Sequence, residues 1–230
     1  MSARKSPAPA ESGRESPPSG DEKETGRLEA FSDGVFAIAI TLLVLDLKVP
    51  KPSELPAGPG PLGAHGLLAA LIAQWPTLLA YLTSFLSILV MWVNHHLLFS
   101  LIRRTDHFFL YLNGLLLLFV TFVPFPTALV AAYLQRREAT AAAALYSASY
   151  FAIAIVFNLL WRHAARGRRL LDRAASDAAI AEIDRSYRFG PPLYALAFVL
   201  AFVNLAASLV TCLALAIFFS VTGSRSRQPK

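Results

Sequence analysis

Residues 27–50, RLEAFSDGVFAIAITLLVLDLKVP, decide the fold of this 230-residue chain. The segment opens with charged side chains and is then apolar from Gly34 to Leu45. At about 1.5 Å per residue, a helix of this length crosses the roughly 30 Å of hydrocarbon in a bilayer. The sequence therefore predicts a membrane-spanning helix over about residues 28–47.

This helix carries two faces of different character. Ile38, Thr41, Leu42 and Leu45 recur at offsets of three and four residues, so they share one stripe, whereas Asp33 lies on another side. A lipid-facing helix needs only apolar side chains, so the membrane alone does not demand this arrangement. Such a stripe is typical of packing, and a pore would require several copies around an axis, where aliphatic rings can gate by dewetting.

The composition is that of a membrane protein with one domain. The chain is 55% hydrophobic and only 16% charged, whereas soluble domains are about one quarter charged. The net charge of +6 comes from short basic runs beside apolar segments, which indicate membrane topology and not nucleic-acid binding. Cys212 has no second thiol to pair with and is interpreted as a packing residue.

Three regions follow from the composition along the chain. Residues 1–26 are rich in Ser, Pro, Gly, Glu and Lys without an apolar run, which predicts a disordered cytoplasmic tail. Residues 27–222 form the predicted all-α, polytopic transmembrane domain, and 223–230 form a basic cytoplasmic tail.

Prolines mark breaks in the second and third spans. The second apolar stretch, residues 67–99, contains Trp75–Pro76, which predicts a helix restart or kink. The third, residues 107–133, contains Pro124 and Pro126 and should bend or break there.

The C-terminal half adds three further spans. A fourth covers residues 139–161, and the arginine-rich segment 162–188 is interpreted as a short amphipathic or surface helix. Residues 190–221 are long for one crossing of about 20 residues. We favour two short helices turning near Asn204, giving six spans, with one long tilted helix as the alternative.

The distribution of Lys and Arg sets the orientation. Cytoplasmic loops carry an excess of these residues, and with six spans the 103–104 loop, the 162–188 segment and the C-terminal tail share one side. Both termini are then cytoplasmic. Arg136–Arg137 falls on the opposite side and is the exception.

This topology places the start of the first span and the end of the second at the same depth. Polar groups facing hydrocarbon are costly, so they should pair within the bundle. The end of the second span carries a polar group formed by Trp92, Asn94 and His95. We expect Ser32 and Asp33 to hydrogen-bond to this group or to Arg27. The network either pins two helices together or takes part in gating or proton sensing.

Catalytic and metal-binding chemistry have no support in the sequence. Adjacent His95 and His96 diverge on a helix, whereas paired metal ligands favour i,i+4 spacing. Nucleophile-elbow, phosphate-loop and C-x-x-C motifs do not occur in the chain. We therefore expect no enzyme, no metal and no cofactor.

The motif Arg27-x-x-x-Phe31-Ser32-Asp33 with VFAIAITLLVLDLKVP resembles the signature that opens the first span in the transmembrane protein 175 family of potassium channels. The resemblance continues through WVNHHLLF at 92–99 and the proline-containing stretch at 121–129. It implies a non-canonical potassium-channel fold of six helices per repeat. The carbonyl-filter sequence TVGYG is absent from the chain.

The resemblance also implies a mechanism. A single repeat implies a homotetramer in the cell membrane, with a pore lined by the first helix of each subunit. Ile38, Leu42 and Leu45 would form the hydrophobic constriction and Thr41 a polar ring, and the motif residues would hold the pore helix on its neighbours. The implied function is passive, potassium-permeable leak conduction. A small transporter or an accessory membrane subunit is the alternative.

Overall fold

The computed structural model describes residues 20–55 and 64–225, and helices account for nearly all of the regular structure in them. An isolated bridge between Ile102 and Leu171 is the one strand-like pairing in this part of the chain. The prediction of an all-α fold is confirmed. The helices are α1 (Gly20–Leu42), α2 (Ala64–Ala73), α3 (Trp75–Phe99), α4 (His107–Phe122), α5 (Pro124–Tyr133), α6 (Ala139–Ala165), α7 (Asp177–Leu200) and α8 (Leu205–Arg225).

Several of these helices suit a bilayer. Four segments of the described chain are long and apolar enough to cross a membrane, and α8 contains a shorter apolar stretch, Leu205–Ser220. The protein is therefore a multi-pass membrane protein. The four segments are Thr25–Asp46, Trp75–Phe99, His107–Tyr133 and Ala139–Arg168.

Helices extend into both of the segments that the composition assigns to tails. Helix α1 begins at Gly20, within the segment 1–26. The sequence DEKE at 21–24 explains the extension, because these residues are adequate helix formers and carboxylates favour a helix N-terminus. Helix α8 likewise continues to Arg225. The rest of the predicted tails, 1–19 and 226–230, lies outside the described residues.

The proline-containing segments are interrupted where the sequence predicts. Helix α2 ends just before Gln74 and α3 restarts with Pro76 in its first turn. Helix α4 gives way to α5 at Val123, immediately before Pro124. Proline lacks the N–H that would continue the preceding helix, which accounts for both interruptions.

The arginine-rich segment differs from the prediction of a separate surface helix. Helix α6 extends into this segment and ends at Ala165. Helix α7 then begins at Asp177 and continues through Pro191 and Pro192. Pro191 cannot donate to the carbonyl of Tyr187 four residues earlier. The Asn158 side chain of α6 supplies that hydrogen bond instead, at 2.9 Å from the Tyr187 oxygen. This replacement donor helps α7 to stay helical across its proline pair.

The last apolar region forms two helices, as favoured from its length. The chain turns between Leu200 and Leu205, and Asn204 Oδ1 caps α8 by accepting a 3.0 Å hydrogen bond from the Ala207 N–H. Ser208 then donates to the Ala197 carbonyl at 2.8 Å and fixes α8 against α7.

Helix α6 lies at the centre of the helix bundle, packed against α4, α5, α7 and α8. Tyr146, Ile153 and Trp161 on this helix are all fully buried. A hydroxyl cluster joins α6 to α3 and α5, because the Ser84 oxygen lies 2.7 Å from that of Thr127 and 3.1 Å from that of Tyr146. Helix α1, in contrast, packs mainly against α3 and α4 within the described part of the chain.

Candidate functional site

The two faces of α1 have opposite environments. Ser32, Phe36, Ala39 and Leu43 are buried against the rest of the chain. The predicted stripe lies on the exposed surface, where Ile38 is 57% and Leu45 73% exposed. Within the described part of the chain, the stripe therefore has little to pack against.

The stripe is helical up to Leu42 and ends in a 3₁₀ turn, Leu43–Asp46. Leu42 and Thr41 are both exposed, and the Thr41 hydroxyl donates a 2.9 Å hydrogen bond to the Ile38 carbonyl. This bond uses the hydroxyl proton within the helix. The Thr41 oxygen is left to act as an acceptor toward the exposed side.

A polar network holds the opposite side of α1 to α3 and α4. The Trp92 indole N–H donates to Asp33 Oδ1 at 2.8 Å. Ser32 donates to the Leu28 carbonyl at 2.9 Å and accepts from the Asn113 side-chain amide at 3.0 Å. The expected contact between the first span and the end of the second is therefore present.

His95 extends this network into the core. Its Nε2 lies 3.0 Å from Asn113 Oδ1, which can only accept, so Nε2 carries the proton. The ring is fully buried, stacks on Phe99 at a centroid distance of 4.3 Å and lies 5.3 Å from the Phe36 ring. Asn113 bridges Ser32 and His95 and so connects α1, α3 and α4.

Asn94 does not join the network, contrary to the prediction. Its side chain donates to the Val90 carbonyl at 2.9 Å, within α3. The backbone carbonyl of Asn94 accepts a 3.2 Å hydrogen bond from the Tyr187 hydroxyl of α7. The reason is angular, since Asn94 is two residues from Trp92 on a helix and points away from α1.

The two remaining motif residues, Arg27 and Phe31, lie on the exposed side of α1, with Phe31 64% exposed. They therefore do not contribute to the buried network within the chain. A neighbouring pair does reinforce it: His96 Nδ1 lies 2.8 Å from Glu29 Oε1, and the His96 ring stacks on Trp92.

Asn113 is the network residue that the sequence analysis missed. It is the single amide in the apolar run FFLYLNGLLLLFV at 108–120. A buried polar side chain in a membrane span must find a partner, so its isolation was the available signal. No group of three or more His, Cys, Asp or Glu side chains converges as metal ligands within residues 20–55 and 64–225.

Comparison with known proteins places this arrangement in a family. Residues 27–124 match the family model described as "Endosomal/lysosomal potassium channel TMEM175". A potassium channel from Chamaesiphon minutus is 55% identical over 201 residues, which cover 87% of this chain and 96% of that one. The chain belongs to the TMEM175 family. A potassium channel from Streptomyces collinus is 46% identical over 197 residues, covering 85% of this chain and 91% of its own.

The fold agrees with this membership. The crystal structure of a lysosomal potassium-selective channel TMEM175 homologue from Chamaesiphon minutus superimposes with a TM-score of 0.76 at 53% identity. The match covers 90% of this chain and all of that one. These matches confirm the family prediction made from the motif. TMEM175 proteins are ion channels and not enzymes.

Proposed function

We propose that this chain is one subunit of a homotetrameric, potassium-permeable leak channel whose pore is lined by α1 from each copy. Membership in a family of potassium channels supports the ion-channel function. The observation that carries the pore assignment is the exposed stripe on α1. Of the four candidate spans, the segment containing α1 is the least buried within the chain. In its most apolar stretch, 22% of the residues are buried.

Ile38, Leu42 and Leu45 form the constriction in this proposal. Four copies of an aliphatic side chain at each level enclose a narrow apolar passage, in which partial dehydration sets the barrier to an ion. Thr41 adds a ring of acceptor oxygens between two of these levels. Conduction is passive in this account and requires no bound cofactor.

The network on the other side of α1 has a supporting role. Asp33, Ser32, Asn113 and His95 fix the rotation of α1 about its own axis, because their hydrogen bonds connect it to two other helices. A fixed rotation keeps the aliphatic stripe turned away from the subunit core. Arg27 and Phe31 then lie where a neighbouring subunit would contact them.

The proposed topology has six crossings, formed by α1, α3, α4 with α5, α6, α7 and α8. Both termini lie in the cytoplasm and the channel resides in the cell membrane. The basic loops 103–104 and 166–173 lie at the same end of the bundle as the start of α1, since Thr25 donates to the Arg103 carbonyl at 3.3 Å. That clustering of arginine supports a cytoplasmic assignment for this end.

Potassium flux from liposomes reconstituted with the purified protein tests the proposal. Ile38→Asn should raise flux and reduce the preference for potassium over sodium, because an amide ring wets the constriction. Ile217→Asn is the matched control, since Ile217 on α8 is the same residue type with a similar exposure of 55%.

Wild-type flux with an effect confined to the Ile38 variant supports the pore. An absence of flux from folded, oligomeric protein would favour an accessory subunit, and saturable uptake coupled to an ion gradient would favour a transporter. Equal effects of the two substitutions would remove Ile38 from the conduction pathway.

A further inference from the structure

An arginine-lined cavity of about 590 Å³ lies at the end of the bundle where α3 and α6 finish and α4 begins. Its volume is within the range of about 300–1,000 Å³ typical of small-molecule sites. Five of its lining residues are arginines and one is a carboxylate. The polar lining residues are Arg103, Arg104, Arg168, Arg169, Asp172 and Arg173.

Backbone pairing holds the two walls of this cavity together. The N–H groups of Arg103 and Arg104 both donate to the Leu170 carbonyl, at 2.9 and 3.3 Å. In return, the Asp172 N–H donates to the Leu101 carbonyl at 2.8 Å. The loop after α3 and the loop after α6 are thereby fixed side by side, with their arginines around a common space.

A tight turn shapes the α6 side of the cavity. Gly167 and Arg168 are both left-handed, with φ of 64° and 56°, a conformation that is uncommon for a residue with a side chain. Arg168 is held there by a 2.6 Å bond to Asp177 and by a bond to the Ala175 carbonyl. The turn is therefore a built feature that directs the following residues, Arg169 onward, to the cavity.

The charge of the lining is strongly positive. Asp172 is committed internally, since it accepts from the Ala174 N–H at 2.8 Å and from Arg103 at 3.3 Å. Arg169 and Arg173 are exposed beside it. Asp177 likewise pairs with Arg168, so the exposed guanidinium groups of Arg169 and Arg173 supply the positive charge that an anion in the shared space would offset. Guanidinium groups match phosphate oxygens in charge and in their forked geometry.

We infer that this cavity binds a phosphate group, carried either by the headgroup of an anionic lipid or by a soluble phosphate. Helices α3 and α6 are both apolar enough to cross a membrane and lead into the loops that form the cavity, so it lies where a membrane surface would meet water. A lipid phosphate and a free phosphate present the same oxygens to the arginines. The inference concerns a site distinct from the α1 stripe and does not require that the stripe line a pore.

Binding to the full-length protein in detergent tests this inference. The first arm adds phosphatidic acid to mixed micelles of detergent and phosphatidylcholine, and the second adds inorganic phosphate alone. Each arm measures the shift in Tm, and native mass spectrometry counts the phosphatidic acid retained. The variants are Arg169→Gln with Arg173→Gln and, as the control of equal charge change, Arg136→Gln with Arg137→Gln in the loop at the opposite end of the bundle.

We expect the wild type and the 136/137 control to bind the phosphate probe alike. The 169/173 variant should bind roughly 30-fold more weakly, because each surface arginine contributes about a fivefold factor to anionic-lipid binding. A response to phosphatidic acid alone identifies a lipid headgroup, and an equal response to inorganic phosphate identifies a soluble ligand.

Two results would overturn the inference. One is that neither probe shifts the Tm of the wild type. The other is that both double variants lose binding equally, which would show attraction by overall charge and not by this cavity. Because the readout is binding, loss of ion conduction would not imitate either result.

Discussion

Helices α1 and α6 are both apolar enough to span a membrane, yet they occupy opposite environments in the chain. Within their most apolar windows, 22% of the residues of the α1 segment are buried in the chain, against 61% for α6. Helix α6 contacts four other helices, whereas α1 contacts α3 and α4 on one side. Hydropathy alone therefore does not distinguish a helix that forms the core from one that presents a face outward.

The difference indicates a division of tasks. Helix α6 supplies the packed centre through large aromatic side chains such as Tyr146 and Trp161. Helix α1 is held on one side by polar bonds and by buried residues such as Phe36, and its aliphatic stripe is exposed, as the proposed tetrameric pore requires. The following predictions test this division, beginning with the largest expected effect.

A matched pair of substitutions compares the two helices directly. Ile153 on α6 is 1% exposed and Ile38 on α1 is 57% exposed. Ile153→Ala should lower the free energy of unfolding by roughly 2–4 kcal/mol, because it leaves a cavity in a packed core. Ile38→Ala should change it by less than about 1 kcal/mol and alter conduction instead. Thermal unfolding in detergent and liposome flux measure the two effects, and equal destabilisation would contradict the division.

The second prediction concerns the bond that fixes α1 to α3. Asp33→Ala removes the acceptor of the Trp92 indole N–H and should cost roughly 0.5–1.5 kcal/mol, the net contribution of a typical hydrogen bond, because Trp92 is partly exposed. Assembly and Tm should fall, while channels that do assemble keep their ion preference. Asp33→Asn retains an oxygen acceptor and should recover most of the loss. A change in potassium over sodium preference with an unchanged Tm would place Asp33 in the conduction pathway.

The smallest effect is expected at the end of α6, where His163 Nε2 lies 2.9 Å from both oxygens of Asp106, the N-cap of α4. Partial burial raises the pKa of Asp106, but hydrogen bonds from the Phe109 N–H and His163 outweigh it, so the net pKa lies below 3.8. A carboxylate with a depressed pKa stabilises the fold above its unfolded pKa, and this contribution is lost as the pH falls through the folded pKa.

Asp106→Asn keeps a capping side chain but removes the charge. Because Asp106 is 38% exposed, solvent screens the interaction, and we expect a loss of only about 0.5 kcal/mol at pH 6. The variant and the wild type should become equal at pH values well below 3.8. A difference in Tm that persists unchanged at acid pH would show that the charge is not its cause.

Much of the fold could be predicted from local sequence. Pro76 and Pro124 lack a backbone donor, so the breaks they cause are local and visible in the sequence. Helix α7 nevertheless continues through Pro191 and Pro192, and at Pro191 a side chain distant in sequence, Asn158, replaces the missing donor. Tertiary compensation of this kind leaves no mark on the local pattern.

The candidate site was predictable to a similar extent. Asp33 and Trp92 could be paired because topology places them at one depth, and the structure joins them at 2.8 Å. Asn94 was wrongly included because depth does not specify the direction of a side chain around α3. Asn113 was missed because its partners lie on two other helices.

The central claim is that the exposed stripe of α1 lines the ion pathway, and thiol substitution tests it most directly. In a Cys212→Ala background, Ile38→Cys would place one thiol per subunit at the constriction, where several thiolates can bind a soft divalent cation such as Cd²⁺. We predict that Cd²⁺ blocks potassium flux through this variant, that a chelator restores it, and that Ile217→Cys is unaffected. Potassium flux through Ile38→Cys that is insensitive to Cd²⁺, or equal block of both variants, would contradict the claim.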